Sequence, residues 1–143
     1  MVVKQISVFV ENSEGKVKKA INEISKEGIN IRALSIADGT EFGILRLIVT
    51  DNEKTKKTLQ NEGFIVKESE VIVIGIPDEP NGLNSLLEIL ERENINLEYV
   101  YAFANNKTDE AVVVIKVENY EKAKKLLESN NANLFDEKDI ANL

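Results

Sequence analysis

The sequence predicts an α+β fold made of two modules in tandem, each with the element order βαββαβ. Three observations predict it: a pattern that repeats at a fixed offset, an alternation of strand and helix periodicities within each copy, and a copy length of about 70 residues, enough for a small domain.

The repeat is one of pattern more than of identity. Val10 to Leu34 lies over Ile76 to Val100 at an offset of 66 residues. Val17, Ala20, Ile21 and Ile24 fall on Leu83, Leu86, Leu87 and Leu90, and Ile29-Asn30-Ile31 falls on Ile95-Asn96-Leu97. The modules are therefore expected at residues 1–69 and 70–143, with no flexible linker between them.

Each element follows from its periodicity. Lys4 to Val10 alternates like a half-buried strand, and the polar Glu11 to Gly15 breaks it. Val17, Ala20, Ile21 and Ile24 recur at helical spacing and predict an amphipathic helix that stops at Gly28. Ile29 to Ala37 and Gly43 to Thr50 are β-rich runs around Asp38-Gly39 and predict an antiparallel pair. Glu53 to Glu62 is a helix with Leu59 as its one strong apolar anchor, stopped by Gly63 before the strand Phe64 to Lys67. The second copy repeats the order with Val71 to Ile76, Leu83 to Glu93, Ile95 to Phe103, Glu110 to Val117, Tyr120 to Asn130 and a weak strand at Asn133 to Phe135. Each module is then a ferredoxin-like antiparallel sheet with both helices on one face. Ile29 to Ala37 and Ile95 to Phe103 become edge strands with little charge and no proline to guard them, so a second strand is expected beside them.

Composition narrows the function. A formal charge of −7 and a pI near 4.8 oppose binding to nucleic acid or to an anionic membrane. With no Cys and no His, disulfides, thiolate chemistry and the commonest general base and metal ligand are absent. No Ser is accompanied by a His base, no phosphate-binding glycine pattern occurs, and neither first loop holds the Arg an acylphosphatase-like site wants. An RNA-binding module would want aromatic residues on both central strands, and Ile44 to Val49 offers only aliphatics and Arg46. Acidic groups at Glu68, Glu70 and at Asp136, Glu137, Asp139 lack Ca²⁺-loop spacing and read as solvated surface. A non-catalytic protein without cofactor or metal is expected. The N-terminal residues lack a signal-peptide pattern, which points to the cytoplasm.

The remaining candidates lie in the loops after each first strand. Asn12, Ser13, Glu14, Gly15, Lys16 and Val17 in copy one, and Asp78, Pro80, Asn81, Gly82 and Leu83 in copy two, precede a helix N-terminus, where backbone amides favour an anion and Gly permits close approach. The same residue types also cap helices and turn chains. Asn30 with Ile31, and Asn96 with Leu97, place an amide at the same point of each edge strand, either toward a ligand or toward a neighbouring loop. Tyr99, Tyr101 and Phe103 alternate toward one face, where their copy-one counterparts Ala33, Ser35 and Ala37 are small.

These loops, each followed by an amphipathic helix and by Ile-Asn-Ile or Ile-Asn-Leu, resemble ACT domains, and the resemblance covers nearly the whole chain twice. Gly28 to Thr50, GINIRALSIADGTEFGILRLIVT, is similar to tandem ACT proteins that stand alone without an attached enzyme. The resemblance implies ACT-like modules with side-by-side sheets, a homodimer, and a free amino acid held by loop amides near Gly15 or Gly82. The chain departs from the family's pattern where Glu14 replaces the usual Pro in copy one, and where Asn81 takes the Gly slot in copy two. The aliphatic and Tyr surface of the adjoining strands favours a branched-chain or aromatic ligand. The alternative is an interaction module that docks on a metabolic enzyme and binds no ligand.

Overall fold

A computed structural model describes residues 2–104 and 107–143 of the chain, and it bears out the α+β fold with two βαββαβ modules. The Cα framework divides into two compact units: Lys4–Ser69, and residues 2–3 with Glu70–Leu143.

In the first unit the elements are β1 (Val3–Glu11), α1 (Lys16–Lys26), β2 (Ile31–Ala37), β3 (Phe42–Val49), α2 (Asn52–Asn61) and the opening residues of β4 (Ile65–Ile76). The strand order β2-β3-β1-β4 leaves β2 at the edge, as the sequence predicts. Register puts Ile6 opposite Leu47 and Val8 opposite Leu45, so all four face the same side and meet the helices. Ala20 and Ile24 of α1 and Leu59 of α2 are fully buried against them. Leu59, with the fully buried Thr55 one turn before it, anchors a helix whose remaining residues are mostly polar. The Asp51 side chain accepts from the Lys54 amide at 3.1 Å and starts α2. Lys54 Nζ in turn donates to the Glu27 carbonyl at the end of α1, at 3.1 Å, which ties the two helices together.

The second unit contains the rest of β4, α3 (Gly82–Arg92), β5 (Leu97–Ala102), β6 (Ala111–Val117), α4 (Tyr120–Ser129), β7 (Asn133–Phe135) and α5 (Glu137–Ala141). Pairings β5-β6, β6-β4 and β4-β7 repeat the first order, with β5 at the edge. The tie between helices also repeats: Lys122 Nζ donates to the Glu93 carbonyl at 2.9 Å.

One sequence expectation needs correction here. The apolar stripe of α3 is not Leu83, Leu86, Leu87, Leu90. Leu83 is 41% exposed, Leu87 is half-buried, and the core receives Leu86, Ile89 and Leu90, with Gly82 buried at the start. At 100° per residue Leu87 lies well round from Leu86, so a row of four leucines overstates the buried face. Asp136 and Asp139, half-buried and exposed respectively, lie at the surface as expected and also start a helix. They form a capping box: Asp136 accepts from the Asp139 amide at 2.9 Å while Asp139 accepts from the Asp136 amide at 2.8 Å. The short helix α5 that they open buries Ile140, and Leu143 is buried just beyond it.

Candidate functional site

Among the described residues five helices start, and they start in two ways. α2, α4 and α5 each have a side chain, from Asp51, Asn119 and Asp136, accepting a first-turn amide, and each has an acidic residue in its first turn. α1 and α3, the helices after the two first strands, have neither. Their N-terminal amides carry the positive end of the helix with no anion supplied by a capping side chain.

At α1 the N-cap is Gly15, at φ 83, and no heavy atom lies within 4 Å of where its Cβ would be. The backbone angle demands glycine, and the space beside it is open. Asn12 fixes the loop: its amide donates to the Glu41 carbonyl at 2.8 Å and its side chain to the Gly39 carbonyl at 3.2 Å. The loop is thereby held to the β2–β3 hairpin. Asn12, Ser13, Glu14 and Gly15 are exposed, and Lys16 and Val17 are half-buried. Lys16 Nζ lies 4.0 Å from the Glu11 carboxylate, a pair open to solvent and correspondingly weak. Glu14 adds a negative charge next to the N-cap.

At α3 the loop Asp78 to Asn81 is exposed, but Gly82 is buried, and a Cβ there would run into the Pro77 carbonyl oxygen. Gly82 is small because its own backbone packs against Pro77. The Asn81 side chain donates to Ser85 Oγ at 3.0 Å and accepts from Asn84 at 3.2 Å, so it is engaged within the first turn without capping it.

Asn30 and Asn96 lie elsewhere. The Asn30 carbonyl accepts from the Thr50 amide at 3.1 Å, and the Asn96 carbonyl from the Glu118 amide at 3.0 Å. Glu11 pairs with Phe42 at one end of β3, whereas Ile31 pairs with Val49 at the other. The loop and the asparagine of one module are thus separated by the length of that strand, about 23 Å at ~3.3 Å per residue. Within a module, Ile31 and Leu97 go with the asparagines and not with the loops. A set containing both the loop and the Asn of one unit is therefore not a single site.

Sequence inspection also missed a cavity of about 580 Å³ at the Asn96 end of the second unit, lined by Glu70, Asn94, Asn96, Glu118, Tyr120 and Lys122 among others. Burial, followed by the Glu70 carboxylate, pushes the Tyr120 phenol up from its ordinary range. Tyr99 and Tyr101 stack at 6.3 Å between centroids, and Phe103 is buried, as alternation on one face predicts. Among the described residues no group of Asp or Glu is arranged to hold a metal ion, and no helix is long and apolar enough to cross a membrane.

Solved structures place this geometry among known folds. The chain is 38% identical to the protein BT0572 from Bacteroides thetaiotaomicron, with a TM-score of 0.91 over 100% of this chain and 98% of that one. It is similar in fold to the regulatory subunits of aspartate kinase from Thermus flavus (TM-score 0.62, 13% identity, 90% of each chain) and Thermus thermophilus (0.58, 15%, 88% of this chain and 90% of that one). No curated protein matches the chain. The model of the ACT domain pair matches residues 1–143, and the chain belongs to the ACT domain pair family.

Proposed function

We propose that the protein is a non-catalytic regulatory module that binds a free amino acid through the N-terminal amides of α1. The observation that carries this reading is the contrast among helix starts: among the described residues only the two helices after the first strands lack both a capping side chain and a first-turn acid. A carboxylate supplies the missing negative charge. Of the two loops the first is the better receptor, because Gly15 opens on free space while Gly82 is closed by the Pro77 carbonyl. The first loop and the β2–β3 hairpin, joined through Asn12, form the binding surface. Ile44 and Ala37, paired across β3 and β2 beside that hairpin, offer aliphatic surface, which suits a branched-chain or aromatic side chain.

A signal then passes to other proteins, since the chain has neither His nor Cys with which to run acid–base or thiolate chemistry itself. The aspartate kinase subunits of similar fold are described as regulatory, which fits a chain that acts on a metabolic enzyme. A homodimer completes the reading, with the exposed Leu34 and Ile36 on edge strand β2 favouring association.

The test is a melting curve for the purified chain against the common amino acids at millimolar concentration. A ligand of the folded state raises the melting temperature, by about 2.7 kcal/mol of stabilisation at one hundred times its dissociation constant. No shift with any of them overturns the ligand and leaves a docking module that works without one.

A further inference from the structure

We propose that the cavity at the Asn96 end of the second unit binds a small organic dication of the alkyl-diamine class, a site separate from the amino-acid loop. Its volume of about 580 Å³ is that of a ligand pocket. It lies at the end of the unit away from the loop Asp78 to Asn81, since Ile76 pairs with Ala111 at one end of the sheet while Asn96 and Glu118 meet at the other. Its charged lining is Glu70, Glu118, Glu121 and Lys122. None of the three carboxylates is in an ion pair among the described residues. Lys122 Nζ is engaged with the Glu93 carbonyl at 2.9 Å, so the three acids outnumber one base already bound elsewhere.

The first copy shows how the same place can be closed. The register of the strands and the matching bonds of Lys54 and Lys122 set Lys4 against Glu70, Thr50 against Glu118 and Asn52 against Tyr120. In copy one the Asn30 amide donates to Thr50 Oγ1 at 3.1 Å, and Asn52 donates to the Lys4 carbonyl at 3.0 Å and to the Glu68 carboxylate at 3.1 Å. Copy two has no counterpart of either bond: the Asn96 amide and the Tyr120 hydroxyl find no partner among the described residues. The charge is reversed as well. Glu70 stands for Lys4 and Glu118 for neutral Thr50, while Glu121 and Lys122 repeat Glu53 and Lys54. Tyr120, whose phenol burial pushes up from its ordinary range, stays neutral and adds apolar surface beside Ile95. Among the described residues no group of Asp or Glu is arranged to hold a metal ion. An alkyl chain with an ammonium at each end instead reaches separate carboxylates, and its methylenes lie along Tyr120 and Ile95.

The probe is putrescine, titrated calorimetrically into the full chain in sodium chloride at about 0.15 M, with butylamine and magnesium chloride beside it. The site predicts saturable binding of putrescine with a dissociation constant of roughly 1 mM or below, and butylamine about tenfold weaker or more. Glu70→Gln and Glu118→Gln, both at exposed positions, should each weaken putrescine about tenfold, whereas Glu79→Gln, on the loop at the far end of α3, should leave it within about twofold. In the parent chain the amide resonances of Asn94, Asn96 and Tyr120 should move with putrescine while those of Ser13 and Gly15 stay, a readout that does not depend on any variant folding. Absence of saturable heat at millimolar putrescine overturns the site. So does displacement by magnesium at equal charge, which would reduce the effect to screening, or a loss from Glu79→Gln as large as that from Glu118→Gln.

Discussion

Gly15 and Gly82 stand at neighbouring places in the two copies and need glycine for different reasons. Gly15 is held at φ 83 with nothing near its missing side chain, so Gly15→Ala costs only backbone strain, roughly 1–2 kcal/mol. Gly82→Ala forces a methyl group onto the Pro77 carbonyl and costs about 1–3 kcal/mol through displacement of packed backbone, with loss of the loop's shape. Urea midpoints at unchanged slope measure both, and a Gly82 variant as stable as the parent would mean that Pro77 yields freely. That both loops turn into helices is legible in the sequence. The closeness of Pro77 is not, because it depends on the path of the chain rather than on residue type. A second residue-scale consequence concerns Glu68. The hydrogen bond from Lys56 holds its carboxyl below the ordinary range, with Asn52 donating to the same group. The folded pKa is lower than the unfolded one, so the stabilisation is present above pH ~4.3 and is lost as pH falls through the folded value. Glu68→Gln is expected to lose less stability than the parent between pH 6 and pH 3, measured by urea midpoints in the two buffers.

At the scale of the element, the buried stripe of α3 separates leucines that look alike in sequence. Leu86 is 3% exposed inside the second core, so Leu86→Ala is expected to cost about 2–5 kcal/mol. Leu83→Ala, at an exposed position, should cost less than about 0.5 kcal/mol, with the half-buried Leu87 between them. If the three midpoints coincide, the helix is rotated from the position described here. Periodicity finds such a helix but blurs its phase when five of eight consecutive residues are large and apolar, as Leu83, Leu86, Leu87, Ile89 and Leu90 are. Phase in α1 is easier to read, since Val17, Ala20, Ile21 and Ile24 are separated by the polar pairs Lys18-Lys19 and Asn22-Glu23. α5 was legible in principle: Asp136 and Asp139 have capping-box spacing just before Ile140, but the surrounding acids invite a reading as surface charge.

At the scale of the whole molecule the repeat was the strongest signal, because one pattern at a constant offset constrains every element twice. Strand order and both edge strands followed from it. What the repeat could not convey is which conserved-looking coincidences share a place. The loop and the asparagine recur together in both copies because both belong to the βαβ unit, and that unit puts them at opposite ends of the sheet. Binding experiments can use the separation. If the amino acid sits on the open loop of copy one, titration calorimetry gives one ligand per chain, since the second loop is closed at Gly82. Asn12→Ala releases the loop from the Gly39 carbonyl and should weaken binding strongly, whereas Asn30→Ala, at the far end of β3, should leave affinity within about twofold, under 0.5 kcal/mol. Asn81→Ala should likewise leave the affinity alone. Equal losses from Asn12→Ala and Asn30→Ala would require the two to meet across separate chains, and two ligands per chain would restore the second loop as a receptor.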